Sequence, residues 1–348
     1  MIVRRRPLLA AAPAAALAVL PPATAVAQGA AAPDEGAVRR RLAALKPAGF
    51  PSQPIEITVV YPAGGGMDIN GRLAQRFFER WTGERALVNN RTGGAGLVGH
   101  TWLAMQAPGD GHAVGVIANL IFSDAVRSQG RWNWTDLDAI AYLNSEPLNL
   151  VVNAEGPFRE GGLRAFMDAA RQRPGTLRVT NVPGGFYEYM LEQMETAAGA
   201  RFLKVPFQGG NPGITALLGN NVDLALGFFG EIRSHLQANR VAPVAVSAAA
   251  RSPFLPEVPT VNEVLGTSDI VWGVTRWVAT PKAVPADRKA WLAAAFTAAA
   301  QDPELQAEFR NLGTIPDPSL DTPDKVQAAV ARRAELERGF LVKTGRVR

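Results

Sequence analysis

Cysteine is absent from the 348-residue chain, which excludes disulfides, thiolate metal sites and cysteine nucleophiles. The chain has only three histidines, His100, His112 and His235, and none has a second histidine or a carboxylate at metal-ligand spacing. The sequence also lacks a G-x-S-x-G nucleophile elbow and a Walker loop. We therefore predict no metal, no cofactor and no enzymatic activity, although a site assembled from distant residues stays open.

The chain also lacks a large excess of charge of either sign. The formal net charge is +5, and Arg4, Arg5 and Arg6 contribute to it from a segment that we expect to be removed. So small a charge gives no argument for binding nucleic acid. The hydrophobic fraction of 47% is ordinary for a globular protein with a sizeable core.

The N-terminal segment 1–27 has the three parts of an export signal: a basic start, an Ala/Leu-rich body and Ala25-Val26-Ala27 as a cleavage site. We predict export to the periplasm, and the Arg5-Arg6 pair leaves the twin-arginine and general secretory routes equally open. Prolines in and after the apolar body argue against a retained membrane helix. The alanine- and proline-rich segment 28–52 is predicted to be a tether.

The segment Ile55 to Asp68 reads as strand, glycine loop and helix start. A β-branched run ends at Pro62, and Gly64, Gly65 and Gly66 leave the main-chain amides open to close approach. Asp68 is predicted as the N-cap of an amphipathic helix that ends before Gly83. Such a loop at the carboxyl end of a parallel strand favours an anion at the helix N-terminus; the alternative is a tight turn that binds nothing.

A second glycine loop, Gly94 to Gly99, fits the dinucleotide fingerprint G-x-G-x-x-G. That fingerprint requires an acidic residue at the end of the following strand. Strand Ala113 to Ala118 is followed by Asn119 instead, so we expect no nucleotide site. Asn119 occupies a strand end suited to ligand binding, and a local Asx turn is the alternative.

A long strand-like run from Ala139 to Asn153 is interrupted at Ser145-Glu146-Pro147, where we predict the chain to cross into a second lobe. Further strand–loop–helix units follow this crossing, and a strongly charged C-terminal helix is predicted to be a solvated outer layer. The loops of the second lobe supply candidate ligand contacts at Asn181, Gly184, Gly185, Phe186, Phe207, Gln208, Gly209, Gly210, Asn211, Gly227 and Phe228.

Several blocks of sequence occur in an order that resembles the substrate-binding proteins of tripartite tricarboxylate transporters, the Bug (Bordetella uptake gene) family. The resemblance runs from about residue 50 to the C-terminus. Its blocks are Phe50 to Ile55, Tyr61 to Asp68, Asn90 to Gly96, Ala107 to Gly111, Val205 to Gly209, Arg251 to Pro253 and Pro256 to Val261.

The resemblance implies an α/β, two-lobed periplasmic-binding-protein fold, type II-like, with two crossover strands and a ligand cleft between the lobes. Lobe 1 would comprise residues 53–146 and 248–348, and lobe 2 residues 147–247. In the first lobe the family's ligand loop maps onto Gly64, Gly65, Gly66, Met67 and Asp68. In the second lobe it maps onto segments 181–187 and 207–211.

Three departures from the family pattern change the predicted ligand. Hydroxyl donors give way to Val182-Pro183-Gly184-Gly185-Phe186, a Tyr-Lys pair gives way to Phe207-Gln208, and an Asp-Asn pair gives way to Gly227-Phe228. A more apolar second-lobe wall would suit a ligand with one carboxylate and an apolar or aromatic body. The alternative places Phe186 and Phe228 in the core. Arg276 would either pair a second anionic group or, as we favour, lie at an exposed strand edge.

The predicted function is capture of a small organic acid and its delivery to the membrane permease subunits of a tripartite transporter, by a monomer that binds no nucleic acid. Two alternatives remain. One is an exported α/β enzyme that acts on a small organic acid in the same cleft, and the other is a receptor that feeds a sensory system.

Overall fold

A computed structural model describes residues 34–183, 185–207, 209–343 and 345. The predicted export signal and part of the predicted tether lie outside these residues, as do Gly184 and Gln208. In the described part of the chain, no helix is both long and apolar enough to cross a membrane.

Helices and strands alternate along most of the chain. The strands are β1 Ile55–Val59, β2 Ala86–Asn90, β3 Ala113–Ala118, β4 Leu137–Asn153, β5 Arg178–Asn181, β6 Leu203–Pro206, β7 Ala225–Gly227, β8 Val241–Ser247 and β9 Gly273–Pro281. The helices are α1 Glu35–Leu45, α2 Gly66–Thr82, α3 Leu97–Met105, α4 Leu120–Arg127, α5 Gly162–Gln172, α6 Phe186–Ala198, α7 Gly210–Leu218, α8 Phe229–Gln237, α9 Val261–Leu265, α10 Ala286–Ala300, α11 Pro303–Asn311 and α12 Pro323–Lys343.

The first group of strands has the order β2-β1-β3-β9-β4. β1 pairs in parallel with both β2 and β3, while β9 runs antiparallel to β3 and to β4. Every residue of β3 is buried, as expected of an apolar strand covered on both faces. The loops that follow β1 and β3 therefore emerge at the same edge of the sheet.

The second group of strands assembles on the other half of β4. Both β7 and β8 pair antiparallel with it, at residues 149–151 and 148–153 respectively. β5 pairs in parallel with β6, and a single bridge from Val179 to Leu224 joins β5 to the residue before β7. The loops after β5, β6 and β7 each lead into a helix.

β4 is continuous from Leu137 to Asn153, whereas the sequence predicted an interruption at residues 145–147. The strand changes partner there: Pro147 is the last residue to pair with β9, and Leu148 the first to pair with β8. Proline needs no ladder donor at this position. Gly273 permits the close approach of the two strands, because a Cβ there would lie 2.4 Å from the Glu146 carbonyl oxygen. The lobe limits drawn from the sequence stay a prediction.

The C-terminal helix α12 differs from its predicted solvated role. Its charged residues alternate with a buried stripe that includes Val326, Val330 and Ala334, packed on the first group of strands. Glu337 on this helix is itself only 3% exposed and binds Arg333 at 2.7 Å. High charge alone was a misleading signal, because the apolar stripe is spaced at helical intervals.

Candidate ligand-binding site

A cleft of about 970 Å³ lies between loops of the first and second groups of strands. Its first wall is the loop from Tyr61 to Gly65 together with the start of α2. Its second wall comes from the starts of α6, α7 and α8, and its floor includes Glu146 of β4 and Arg276 of β9. The volume is within the range of small-molecule sites.

Three helices begin at this cleft with glycine at the N-cap. The N-caps of α2, α6 and α7 are Gly65, Gly185 and Gly209, and none carries a side chain that caps the helix. The first N–H groups of a helix lack partners within it, and the helix dipole makes this end electropositive. The convergence of these N-termini gives the cleft an anion-attracting surface made of backbone.

Many of the residues predicted from the sequence line the cleft: Gly64, Gly65, Gly66, Met67, Gly185, Phe186, Gly209, Gly210, Asn211 and Phe228. Gly184 and Gln208 lie outside the described residues. The remaining predicted residues, Asp68, Asn119, Asn181, Phe207 and Gly227, are absent from the cleft lining, and the contacts of each show why.

Asp68 is not the N-cap of α2, which begins two residues earlier at Gly66. Its side chain is buried and accepts hydrogen bonds from Gly64 N (2.9 Å), Arg72 Nε (2.9 Å) and Asn90 Nδ2 (3.0 Å). Burial raises the pKa of this carboxyl, but the hydrogen bonds from Arg72, Gly64 and Asn90 together lower it by a larger amount. The resulting pKa of Asp68 is therefore below the ordinary 3.8. Asp68 therefore orders the glycine loop from behind.

Asn119 is fully buried and makes neither an Asx turn nor a contact with the cleft. Its Nδ2 donates to the Gly273 carbonyl (3.1 Å) and to Glu337 Oε1 (2.7 Å), and its Oδ1 accepts from Thr275 N (3.0 Å). Asn119 thus ties the end of β3 to the start of β9 and to α12. The structure thus shows neither the predicted ligand contact nor the alternative Asx turn, and Asn119 instead joins three elements of the fold.

The other three residues support the second wall from outside the lining. Asn181 ends β5, and its carbonyl accepts from Phe207 N at 2.8 Å. The Phe207 ring packs against the cluster that includes Ile214. Gly227 is buried at the end of β7, where its carbonyl accepts from Asn149 Nδ2 at 3.3 Å.

The second wall carries a cluster of aromatic rings. The Phe186 centroid lies 5.2 Å from that of Tyr187 and 6.3 Å from that of Phe228, and the Tyr187–Phe228 separation is 6.4 Å. All three residues line the cleft, and Phe186 and Tyr187 are otherwise buried. The core and cleft alternatives for Phe186 therefore both hold, since the ring packs inward and also lines the cleft.

Arg276 is buried in the floor, which makes the predicted exposed edge position wrong. β9 lies between β3 and β4, so it is an interior strand and not an edge strand. Arg276 Nη2 lies 2.9 Å from Glu146 Oε2, and Nη1 donates to Asn144 Oδ1 at 3.0 Å. Its Nε has no partner among the described residues.

Neither carboxylate of the cleft lining, Glu146 or Glu231, was predicted from the sequence as a site residue. Burial raises the pKa of Glu146, while the charge and hydrogen bond of Arg276 oppose that rise. Burial also raises the pKa of Glu231, opposed by hydrogen bonds from backbone N–H groups and assisted by the charge of Glu146. A charge within an apolar strand and a glutamate three residues into a helix were the signals that could have identified them.

No group of three or more His, Asp or Glu side chains suited to a metal ion occurs among the residues with described positions. The recognition groups of the cleft are backbone amides, aromatic rings, one guanidinium, two carboxyls, one imidazole and the amide and hydroxyl side chains of Asn70, Asn211, Ser234 and Thr314.

We expect Asp68→Asn to loosen the first wall, with a loss of about 1 to 3 kcal/mol in the free energy of unfolding at pH 7, because a buried charge-assisted network is weakened. The folded-state pKa of Asp68 is lowered, so its stabilisation is present above pH 3.8 and is lost as the pH falls through the folded-state value. Urea unfolding at pH 7 and pH 3 should show the difference between wild type and variant shrinking at the lower pH. The exposed Asp321→Asn serves as control and should change little.

Comparison with known proteins places this fold and cleft in context. The family model described as "Tripartite tricarboxylate transporter family receptor" matches residues 71–331. A relative from Pseudomonas sp. (strain P51), described as a UPF0065 protein in the tcbD-tcbE intergenic region, is 30% identical over 272 residues, which cover 76% of this chain and 79% of the relative. BugT of Bordetella pertussis is 25% identical over 301 residues, covering 85% and 90%.

Solved structures share the architecture at lower identity. The periplasmic binding protein BugD superposes with a TM-score of 0.72 at 22% identity, covering 85% of this chain and 99% of that chain. An R. palustris protein with adipate gives 0.73 at 21% identity, covering 85% and 98%. MatC from Rhodopseudomonas palustris with bound malate gives 0.68 at 23% identity, covering 82% and 99%. The predicted α/β periplasmic-binding-protein fold is confirmed.

Proposed function

Since the chain belongs to the tripartite tricarboxylate transporter receptor family, we propose that it is an exported solute receptor. It captures a small organic acid in the cleft between its two lobes and delivers the acid to the membrane permease of a tripartite transporter. The structural neighbours with malate and adipate support a small carboxylate as the ligand class.

The observation that carries this proposal is the set of uncapped, glycine-led helix N-termini in the cleft. At α2, Gly64, Gly65 and Gly66 line the cleft. Asp68 accepts from Gly64 N from the side of the loop away from the cleft lining, and Gly65 and Gly66 carry no side chain that blocks approach to their own amides. At α6, Gly185 takes the equivalent N-cap position. A carboxylate at these two ends receives backbone hydrogen bonds and two favourable dipoles.

The aromatic cluster of Phe186, Tyr187 and Phe228 supports a ligand with an apolar or aromatic body. Rings that line a largely preformed cleft contribute binding energy in proportion to the apolar area that they cover. A ligand with one carboxylate and a hydrocarbon body would use both features of the cleft.

Delivery of the ligand to the permease is proposed to depend on closure of the two lobes around the cleft. β4 passes from one group of strands to the other at Pro147, and the chain returns between Ser247 and Gly273. We infer that these two crossings form the hinge on which lobe 1, residues 53–146 and 248–348, closes against lobe 2. The closed monomer would present its ligand to the permease at the periplasmic face of the membrane.

Glu146 and Glu231 also give the cleft the raised carboxyl pKa that a general base needs. An enzyme acting on an organic acid would use one of them and would consume its ligand. A receptor returns the ligand unchanged, so analysis of the ligand after release separates the two functions.

The first test is thermal unfolding of residues 28–348 with millimolar malate, adipate, citrate, hexanoate or benzoate. A ligand present at about 100 times its dissociation constant should stabilise the protein by about 2.7 kcal/mol, which raises Tm by a few degrees. The proposal predicts such a shift with at least one acid, followed by recovery of that acid unaltered. Absence of a shift with every acid would count against the receptor function.

A further inference from the structure

The cleft holds its only described guanidinium in an internal ion pair. The side chains of Arg276 and Glu146 are 4% and 6% exposed, and their charged atoms lie 2.9 Å apart. A Cβ added to Gly66 would lie 3.7 Å from Arg276 Nη2, so this pair sits next to the N-terminus of α2. A ligand carboxylate at α2 therefore approaches an arginine whose charge Glu146 already balances.

The carboxylate of Glu231 lies at the N-terminus of α7 and is also bonded within the protein. Its Oε2 accepts from Phe228 N at 2.8 Å, and the N–H of Asn211 also donates to the carboxyl. A Cβ added to Gly210 would lie only 2.1 Å from Oε2, so the carboxyl is seated against the first residue of α7. The anion position at α7 is filled by the protein itself. At α2 the first-turn carboxylate, Asp68, is buried and bonds Gly64 N from outside the cleft lining, while Gly65 and Gly66 line the cleft.

The two ends of the cleft consequently differ in their electrostatic character. The starts of α2 and α6 present glycine N-caps and the positive ends of helix dipoles to the cleft, and Asp68 of α2 lies outside the cleft lining. Glu146, Glu231 and Arg276 together carry one net negative charge when all are ionised. Other titratable groups near Glu231 are Tyr187 on α6 and His235 one turn along α8. A second ligand carboxylate near this acidic end would meet like charge, and an ammonium would meet opposite charge.

We propose that Glu231, supported by Glu146, is a specificity-determining residue that receives the cationic end of an amino-carboxylate ligand whose single carboxylate lies at the starts of α2 and α6. This inference rests on the proposed receptor function and narrows its ligand class to monocarboxylates with an apolar body and an ammonium group. Dicarboxylates are disfavoured.

Two matched triads test the inference, because within each triad only the distal group changes. One triad is butanoate, 4-aminobutanoate and succinate, and the other is 4-methylbenzoate, 4-(aminomethyl)benzoate and terephthalate. Isothermal titration at pH 7.5 should show that the amino acid of at least one triad binds about tenfold or more tightly than its diacid, a difference of about 1.4 kcal/mol.

Glu231→Gln is the test variant, since it retains the size and the acceptor for Phe228 N–H while removing the charge. It should reduce the preference for the amino acid over the diacid by about tenfold. The matched control is Glu263→Gln: Glu263 accepts from Thr260 N at the start of α9 in the same way but lies outside the cleft lining. That control should keep the wild-type preference.

The pH dependence provides a readout that a purely structural role would not move. As the pH falls, the raised pKa of Glu231 means that it loses its charge at a higher pH than an ordinary glutamate. The wild-type preference for the amino acid over the uncharged-end member of its triad, butanoate or 4-methylbenzoate, should therefore shrink at pH 5, and the same preference in Glu231→Gln should change less. If the variant folds poorly, the wild-type preference within each triad at pH 7.5 still decides the assignment.

A diacid that binds as tightly as its amino acid, or an unchanged preference in Glu231→Gln, would overturn the assignment of Glu231 while leaving the receptor function intact. Failure of every member of both triads to bind would overturn the assignment of Glu231, and the receptor function would fall with it only if the acids of the unfolding screen also fail to bind.

Discussion

Gly65→Asp is expected to weaken binding of a carboxylate ligand by about 100-fold, or about 2.7 kcal/mol. Gly65 is the N-cap of α2, with φ −80° and ψ 168°, a backbone conformation that aspartate adopts without strain. The new carboxylate would cap the helix and stand where the ligand carboxylate is proposed to lie. Its like charge and its occupation of the free N–H groups both oppose the ligand.

Gly65→Asn separates charge from size at this position. Asparagine has the same shape as aspartate and is an equally good N-cap, but it is neutral. Titration calorimetry should show a much smaller loss of affinity for Asn than for Asp, and thermal unfolding should show both variants at least as stable as wild type. Equal losses would indicate that steric blockage alone matters, and retained binding in both variants would remove α2 from the site.

Arg276→Met is expected to lower the free energy of unfolding by about 3 to 5 kcal/mol, because it leaves the buried Glu146 carboxyl without its cation. The loss should be largest near pH 7.5 and smaller at pH 5. Removal of the arginine takes away the interaction that opposes the raised pKa of Glu146. As the pH falls, this carboxyl is then protonated, and the cost of burying its charge disappears.

The double variant Arg276→Met, Glu146→Gln tests this explanation. A glutamine at position 146 leaves no uncompensated charge, so the double variant should be markedly more stable than Arg276→Met alone. Urea unfolding of wild type, both single variants and the double variant completes the cycle. If the double variant is no more stable than Arg276→Met, the ion pair is not the source of the loss.

The sequence predicted the elements that depend on local chemistry. The β-branched run at Ile57 and the apolar run from Ala113 to Ala118 are both strands, as predicted, and the structure pairs them in parallel. Gly83 ends α2 in the left-handed conformation, with φ 74°. The glycines of the first loop and Phe186 and Phe228 of the second wall line the cleft, and their contact with a ligand stays a prediction. Each of these features is specified by residues within a few positions of one another.

The sequence predicted less well wherever a residue is defined by a distant partner. Arg276 looked like an exposed edge residue because its partner Glu146 is 130 positions away. Asn119 looked like a ligand contact because its bonds to Gly273 and Glu337 span most of the chain. Glu231 gave a weak signal, since its role depends on Gly210 and Asn211 of a different helix. Contacts between residues that are distant in sequence determine these roles, and the spacing of nearby residues does not predict such contacts.

The central claim is that this cleft captures an organic acid at the N-terminus of α2 and releases it unchanged. Its most direct test is isothermal titration of the strongest acid from the unfolding screen into wild type and Gly65→Asp in parallel, followed by chemical analysis of the recovered acid. We predict one site per chain in wild type, binding that is about 100-fold weaker in the variant, and an unaltered acid. Equal affinity in both proteins, or a chemically converted acid, would contradict the account.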